Sequence, residues 1–126
     1  MAKIFLDANY FIDIVYRDPD KGLMIVDGKH ELYISVLSVH IYCYSAKIKL
    51  PNKNIEAQIQ KFSLVDLTKN IIHLGVVGPT KDLEDNIQLH SAAEAECDFF
   101  LTFDRDLLDM KFFGKTQLVA SLPKSP

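Results

Sequence analysis

Residues 3–6, Lys-Ile-Phe-Leu, carry a continuous apolar run that stops on Asp7, and a helical pattern through Phe11, Ile14 and Val15 follows almost at once. This feature restricts the fold more than any other in the chain. A short apolar run without polar alternation reads as a strand buried on both faces, as in a parallel sheet with helices on each side. A carboxylate closing such a strand is costly to bury unless something binds it.

The rest of the chain repeats the alternation of strand and helix. "ELYIS" (31–35) is a second strand. In "LSVHIYCYSAKIKL", Val39, Tyr42, Cys43, Ala46 and Leu50 recur at helical spacing, with Ser38 as the expected cap and Pro51 as the stop. "NKNIEAQIQKF" is an amphipathic helix, "SLVDL" a short strand, and "TKNIIHLGVV" a helix capped by Thr68. "PTKDLEDNIQLHSAAEAE" opens another helix with acids in its first turn. "CDFFLTF" (97–103) is a clear strand, "DRDLLDM" a short turn or helix, and "TQLVA" a last strand. Pro19 and Gly22 close the first unit, and "SLPKSP" (121–126) reads as a frayed tail. The expectation is one domain over 1–126, a three-layer α/β/α sandwich around a mainly parallel sheet.

Composition excludes several classes. With 126 residues the chain suits one core, and no apolar stretch approaches the roughly 20 residues of a membrane-spanning helix. The N-terminal run is too short for a signal peptide. Cys43 and Cys97 stand far apart without metal or redox spacing, so they read as free thiols in a reducing compartment, and the expected location is the cytoplasm. A net charge of −3 argues against holding nucleic acid by bulk electrostatics alone, but leaves room for an enzyme whose site gathers carboxylates.

The acids fall in a pattern. Open parallel sheets bind ligands at the carboxyl ends of their strands. The first strand runs into Asp7, and the strand "DFFLTF" runs into Asp104, with Asp106 two residues on. The helix at "DLEDNIQ" contributes Asp82, Glu84 and Asp85 from its first turn. Three segments thus aim carboxylates at one edge, and crowded like charges call for a hard divalent cation such as Mg²⁺ or Mn²⁺. Each acid also has a plainer reading. Asp7 serves as a helix cap, Asp104 and Asp106 shape a turn, and Asp82 and Glu84 read more simply as complements to a helix dipole.

Taken together, "IFLDANYFIDIV", "YISVLSVHIYCY", "DLEDNIQLHSAAEAECDFFLTFDRDL" and "TQLVASLP" resemble the PIN domain, the nuclease family that includes the VapC-type toxins of toxin–antitoxin pairs. The resemblance spans nearly the whole chain and is most specific in the third stretch. It implies an acidic pocket holding Mg²⁺ or Mn²⁺ and metal-dependent cleavage of RNA by water. By that resemblance Asp7, Asp85 and Asp104 are the catalytic acids and metal ligands, Asp106 is a further ligand, and Asn9 and Thr102 line the pocket. A cognate antitoxin and a homodimer are the implied partners, with the tyrosine-rich helix at 39–48 as a dimer contact.

One position departs from the family pattern. Ile41 stands where the family places a glutamate, and no acid occurs between Glu31 and Glu56. His40 is adjacent, about 100° round the helix, and is the nearest available substitute. The departure keeps a second reading open: a catalytically weak or inactive PIN domain that binds RNA or a protein. Lys47, Lys49 and Lys53 with Tyr42 and Tyr44 offer phosphate and base contacts, against the plainer reading of a solvated helix end. His73 and His90 read as ordinary helix residues. A phosphoacceptor receiver domain shares the length and alternation, but it needs an acidic pair at the first strand and a lysine after the last. Asp7 stands alone, and nothing suitable follows until Lys124.

Overall fold

The edge where Asp7 sits is built by strands that reverse their order of addition. A computed structural model describes residues 1–17 and 29–122. Its elements are β1 (Lys3–Leu6), α1 (Ala8–Ile12) continuing into a π-helical turn (Asp13–Arg17), β2 (Glu31–Ser35), α2 (Val36–Ser45) and α3 (Lys53–Ile59). There follow β3 (Ser63–Val65), α4 (Lys69–Val77), α5 (Leu83–Glu94), β4 (Phe99–Leu101), α6 (Arg105–Met110), β5 (Phe112–Phe113) and β6 (Thr116–Val119). The sheet has the order β3-β2-β1-β4-β6-β5. Every pairing is parallel except the terminal β5–β6 hairpin. The chain steps outward from β1 through β2 to β3, then returns to the other side of β1 with β4. The β1–β4 junction is therefore the topological switch point, where crevices open in folds of this kind.

Two cores cover the two faces. Ile4, Leu6, Ile34 and Leu101 pack with Tyr10, Phe11, Tyr42, Ile55 and Phe62 on one. Phe5, Phe100 and Leu118 pack with Ile71, Ile87, Leu89, Ala92 and Leu107 on the other. Alternate residues of one strand thus serve opposite layers, which is why the strands are apolar without interruption. This is the expected α/β sandwich with a mainly parallel sheet. Among the described residues no helix is long and apolar enough to cross a membrane.

Local differences have physical reasons. Ser35, not Ser38, caps α2: it ends β2 in an extended conformation and its Oγ accepts the Leu37 N–H at 3.1 Å, so strand passes into helix without a loop. Ser38 lies one turn inside, fully buried. The helix expected through Phe11, Ile14 and Val15 begins at Ala8 and widens to π geometry from Asp13. The late strand is shorter than 97–103, and β5 was not foreseen; its turn into β6 uses Gly114 at φ +60°. Thr68 caps α4 as expected, accepting from Ile71 N at 3.1 Å. Leu122 of the expected tail packs on the first core, whereas 123–126, and Pro19 and Gly22, lie outside the described residues.

The α4–α5 connection is held by one side chain. Asn86 is 2% exposed. Its Nδ2 donates to Gly75 O at 2.8 Å and Thr80 O at 3.0 Å, and its Oδ1 accepts from Thr80 N at 2.9 Å and Thr80 Oγ1 at 2.6 Å. Gly75 permits this approach, since a Cβ there would already stand 3.3 Å from Leu83 Cδ1. Replacing Asn86 by alanine strands two carbonyls and two donors, so Asn86→Ala is expected to lower stability by roughly 2–4 kcal/mol in urea unfolding. A loss within 0.5 kcal/mol, about the ordinary scatter of a surface change, would contradict this clasp.

Candidate active site

Three polar residues end the three central strands. The β1–β2 register pairs Phe5 with Tyr33, and the β1–β4 register pairs Leu6 with Leu101. Extended to the carboxyl edge, these registers set Ser35, Asp7 and Thr102 side by side. All three are buried: Ser35 and Thr102 at 0% exposure and Asp7 at 6%.

Asp7 is held from both sides. Its Oδ1 accepts the Ala8 N–H at 2.8 Å, which caps α1, and its Oδ2 accepts from Thr102 Oγ1 at 2.8 Å. Capping and pocket-lining are thus both met by one carboxylate, because each oxygen has a second lone pair to spare. Thr102 Oγ1 in turn accepts the Asp104 N–H at 3.0 Å. Asp104 caps α6, its Oδ1 accepting from Asp106 N at 2.9 Å and Leu107 N at 3.3 Å, which leaves Oδ2 without a hydrogen bond among the described residues.

Asp85 enters from the first turn of α5, where Asp82 Oδ1 caps the helix by accepting the Asp85 N–H at 2.9 Å. One turn further along α5, Gln88 donates to Ser38 Oγ at 3.2 Å, and both residues are fully buried. This pair ties α5 to the start of α2. Ser91, a turn beyond Gln88, carries a buried hydroxyl with no partner among the described residues.

The acids act on one another electrostatically. Burial pushes the Asp7 carboxyl above the ordinary range, against the pull of the Thr102 and Ala8 hydrogen bonds, and the charges of Asp104 and Asp82 push it further. Asp85 is pushed up to about 7, first by desolvation and then by Asp82, Asp7, Asp104 and Glu84. Glu84 is raised by partial desolvation and by Asp7 and Asp82. Asp7, Asp85 and Asp104 thus feel one another's charge, together with Asp82 and Glu84, which had the plainer dipole reading. Asp106 is not among the charges acting on Asp7 or Asp85. Carboxylate oxygens as a class suit a hard divalent cation better than a softer one. Among the described residues, no three His, Cys, Asp or Glu side chains already stand within joint reach of one ion.

Other expected positions fall elsewhere. His40 is exposed and stacks on Tyr44 with ring centroids 6.3 Å apart, facing solvent, while Ile41 turns into the first core. Asn9 is exposed at the start of α1. Tyr44, Lys47 and Lys49 are exposed at and beyond the far end of α2. Since α2 starts at the carboxyl edge and rises about 1.5 Å per residue, its far end lies about 15 Å from its start. Ser35, Ser38 and Gln88 were missed; the signal available was a polar residue, Gln88, three positions after Asp85 on an otherwise buried face.

No protein-family profile and no curated protein sequence matches the chain. Solved structures do. The chain superposes on VapBC2 from Rickettsia felis, determined bound to a DNA fragment from its promoter, with a TM-score of 0.64 over 93% of this chain and 97% of that one, at 11% identity. It also superposes on Mycobacterium tuberculosis VapC20, a toxin that cleaves the sarcin–ricin loop, with a TM-score of 0.63 over 90% and 98%, at 11% identity. The fold is the PIN-like α/β fold of the VapC toxins.

Two outcomes follow. Thr102→Val leaves a buried carboxylate oxygen and a backbone N–H unpartnered, so it is expected to lose about 2–3 kcal/mol in urea unfolding, while Thr102→Ser keeps most of it. Equal stability of the valine and serine variants would contradict the bridge. The second outcome concerns pH. The folded Asp85 carboxyl sits at about 7 and its ordinary value is 3.8, so between those values the folded chain binds the extra proton. Stability from this group therefore falls as pH rises toward 7 and is fully lost above it. With divalent ions chelated, the unfolding free energy of wild type relative to Asp85→Asn should rise as pH is lowered from about 7.5 to 5.5. A flat difference would contradict the placement of Asp85.

Proposed function

We propose that this chain is a VapC-like endoribonuclease dependent on Mg²⁺ or Mn²⁺, with Asp7, Asp85 and Asp104 as its catalytic acids. What supports this reading is a PIN-like fold in which Asp7 and Asp104 follow the neighbouring strands β1 and β4 and the charges of Asp7, Asp85 and Asp104 act on one another. The same three residues would hold the ion, with Asp106 at the margin and Thr102 lining the pocket. When bound, such an ion supplies an activated water and charge stabilisation at the departing oxygen of a phosphodiester.

The chain's own residues do the positioning. Thr102 Oγ1 fixes one Asp7 oxygen and the backbone of Asp104 together, so two acids from different strands move as one unit. The N–H groups of Asp106 and Leu107 hold the Asp104 carboxylate through Oδ1 and leave Oδ2 without a hydrogen bond among the described residues. Ser38 and Gln88 set the height of α5, and with it Asp85, against α2. We further read residues 1–126 as a single domain working in the cytoplasm, with free Cys43 and Cys97 consistent with a reducing compartment. It is read as a homodimer through the tyrosine-bearing α2, held in check by an antitoxin protein.

A second reading is favoured by Ile41, an apolar residue packed on the core where the family pattern carries an acid. It keeps the fold and drops the turnover, leaving a module that binds RNA or a protein. Metal titration separates the two. A working site gains about 1.4 kcal/mol of stability for each tenfold rise in free Mn²⁺ above its dissociation constant, and an inert one gains nothing.

Cleavage of labelled RNA in Mn²⁺ tests the main reading. Asp7→Asn, Asp85→Asn and Asp104→Asn are each expected to reduce the rate roughly 100-fold or more with the fold retained by circular dichroism. Wild-type rates in all three variants would refute the assignment.

A further inference from the structure

Asp85 is the acid with the least support. Half-buried on the first turn of α5, its carboxylate accepts no hydrogen bond from any described residue. Asp7 and Asp104 each accept two. Yet a donor stands close along the same helix. Gln88 follows Asp85 by three residues, and side chains at that spacing share a helix face. A long helical side chain also leans toward the N-terminus, over the turn that precedes it. Spacing and lean together put Asp85 within range of a Gln88 amide, whose N–H on a carboxylate is a charge-assisted bond.

The amide is committed elsewhere. Gln88 Nε2 donates to Ser38 Oγ at 3.2 Å, and the hydroxyl returns a weaker bond to Oε1 at 3.5 Å. Both side chains are fully buried and make no other hydrogen bond among the described residues. Ser38 is held in place by α2, which Ser35 caps one turn earlier. A buried amide without a partner is costly, so a Gln88 deprived of the Ser38 hydroxyl turns to the next acceptor in reach. That acceptor is the Asp85 carboxylate.

We propose that Ser38 is a positioning residue acting through Gln88: by engaging the amide, it keeps the Asp85 carboxylate oxygens open for a divalent ion. The proposal rests on the ribonuclease reading above and adds what keeps one of its acids available. This role differs from that of a spacer between α2 and α5. A spacer suffers from the loss of either partner, whereas a withheld donor does harm only while it is present.

Mn²⁺ binding to the full chain, read by electron paramagnetic resonance of the free ion, tests it without turnover. Ser38→Ala releases the amide and is expected to weaken Mn²⁺ binding roughly 10- to 100-fold, the cost of disturbing a group behind a metal ligand. Gln88→Met keeps the length of the side chain without its donor and binds Mn²⁺ like wild type. Ser38→Ala combined with Gln88→Met recovers wild-type affinity, because no amide remains to occupy Asp85. Ser38→Thr retains both hydroxyl and affinity. Ser38→Cys offers the amide a weaker partner and repeats the loss and its rescue should the alanine variant not fold. Wild-type affinity in Ser38→Ala, or a double variant as weak as the single one, overturns the role while the ribonuclease reading stands. Wild-type affinity in Asp85→Asn places the ion elsewhere and removes both.

Discussion

One hydroxyl group carries the geometry of this edge. Thr102 Oγ1 is fully buried, donates to Asp7 Oδ2 at 2.8 Å and accepts the Asp104 N–H at 3.0 Å. A carboxylate taken almost wholly out of water is tolerable only when its oxygens are paired. Thr102 provides half of that pairing and, with its remaining lone pair, fixes where the chain turns after β4. The bridge exists because the sheet order makes β1 and β4 neighbours, so residues 95 positions apart in sequence end side by side. Without it, Asp7 would keep only the Ala8 N–H as a partner for its buried charge, and Asp104 would be only the cap of a six-residue helix.

The third acid depends on a different set of bonds. Asp85 stands on a helix whose approach is fixed by the Asn86 clasp to Gly75 and Thr80 and by the Gln88–Ser38 pair. These are buried polar contacts, fully reciprocated in the case of Asn86, and such networks set one arrangement rather than many. The result is an acid whose charge is opposed by four neighbours, pushed up to about 7. Perturbation of this size, caused by desolvation together with identifiable charges in a cleft, marks functional sites more often than structural ones.

Much of this was legible from residues alone, and the failures have physical causes. The uninterrupted run Ile4–Leu6 could only be a strand covered on both faces, and its abrupt end at Asp7 located the edge that matters. Asp104 followed from the same logic, and Thr68 from ordinary capping chemistry. Ser35 was overlooked because a strand that becomes a helix without a loop leaves no turn residues to mark the boundary, so the cap seemed to fall at Ser38. β5 is two residues long and has no period to read. Gln88 and Ser38 are polar residues on buried faces, and single-sequence periodicity treats such positions as noise until the partner 50 residues away is known. Sheet order and the contribution of Asp82 and Glu84 to the acidic field are tertiary properties with no local signature.

The proposed site requires that Asp7, Asp85 and Asp104 share a hollow that a doubly charged cation neutralises. Anomalous scattering from crystals grown in Mn²⁺ addresses it directly. The account predicts a peak bounded by oxygens of these three aspartates at the carboxyl ends of β1 and β4. A peak at some other acidic surface, or none in saturating Mn²⁺ with the three side chains turned apart, would contradict it.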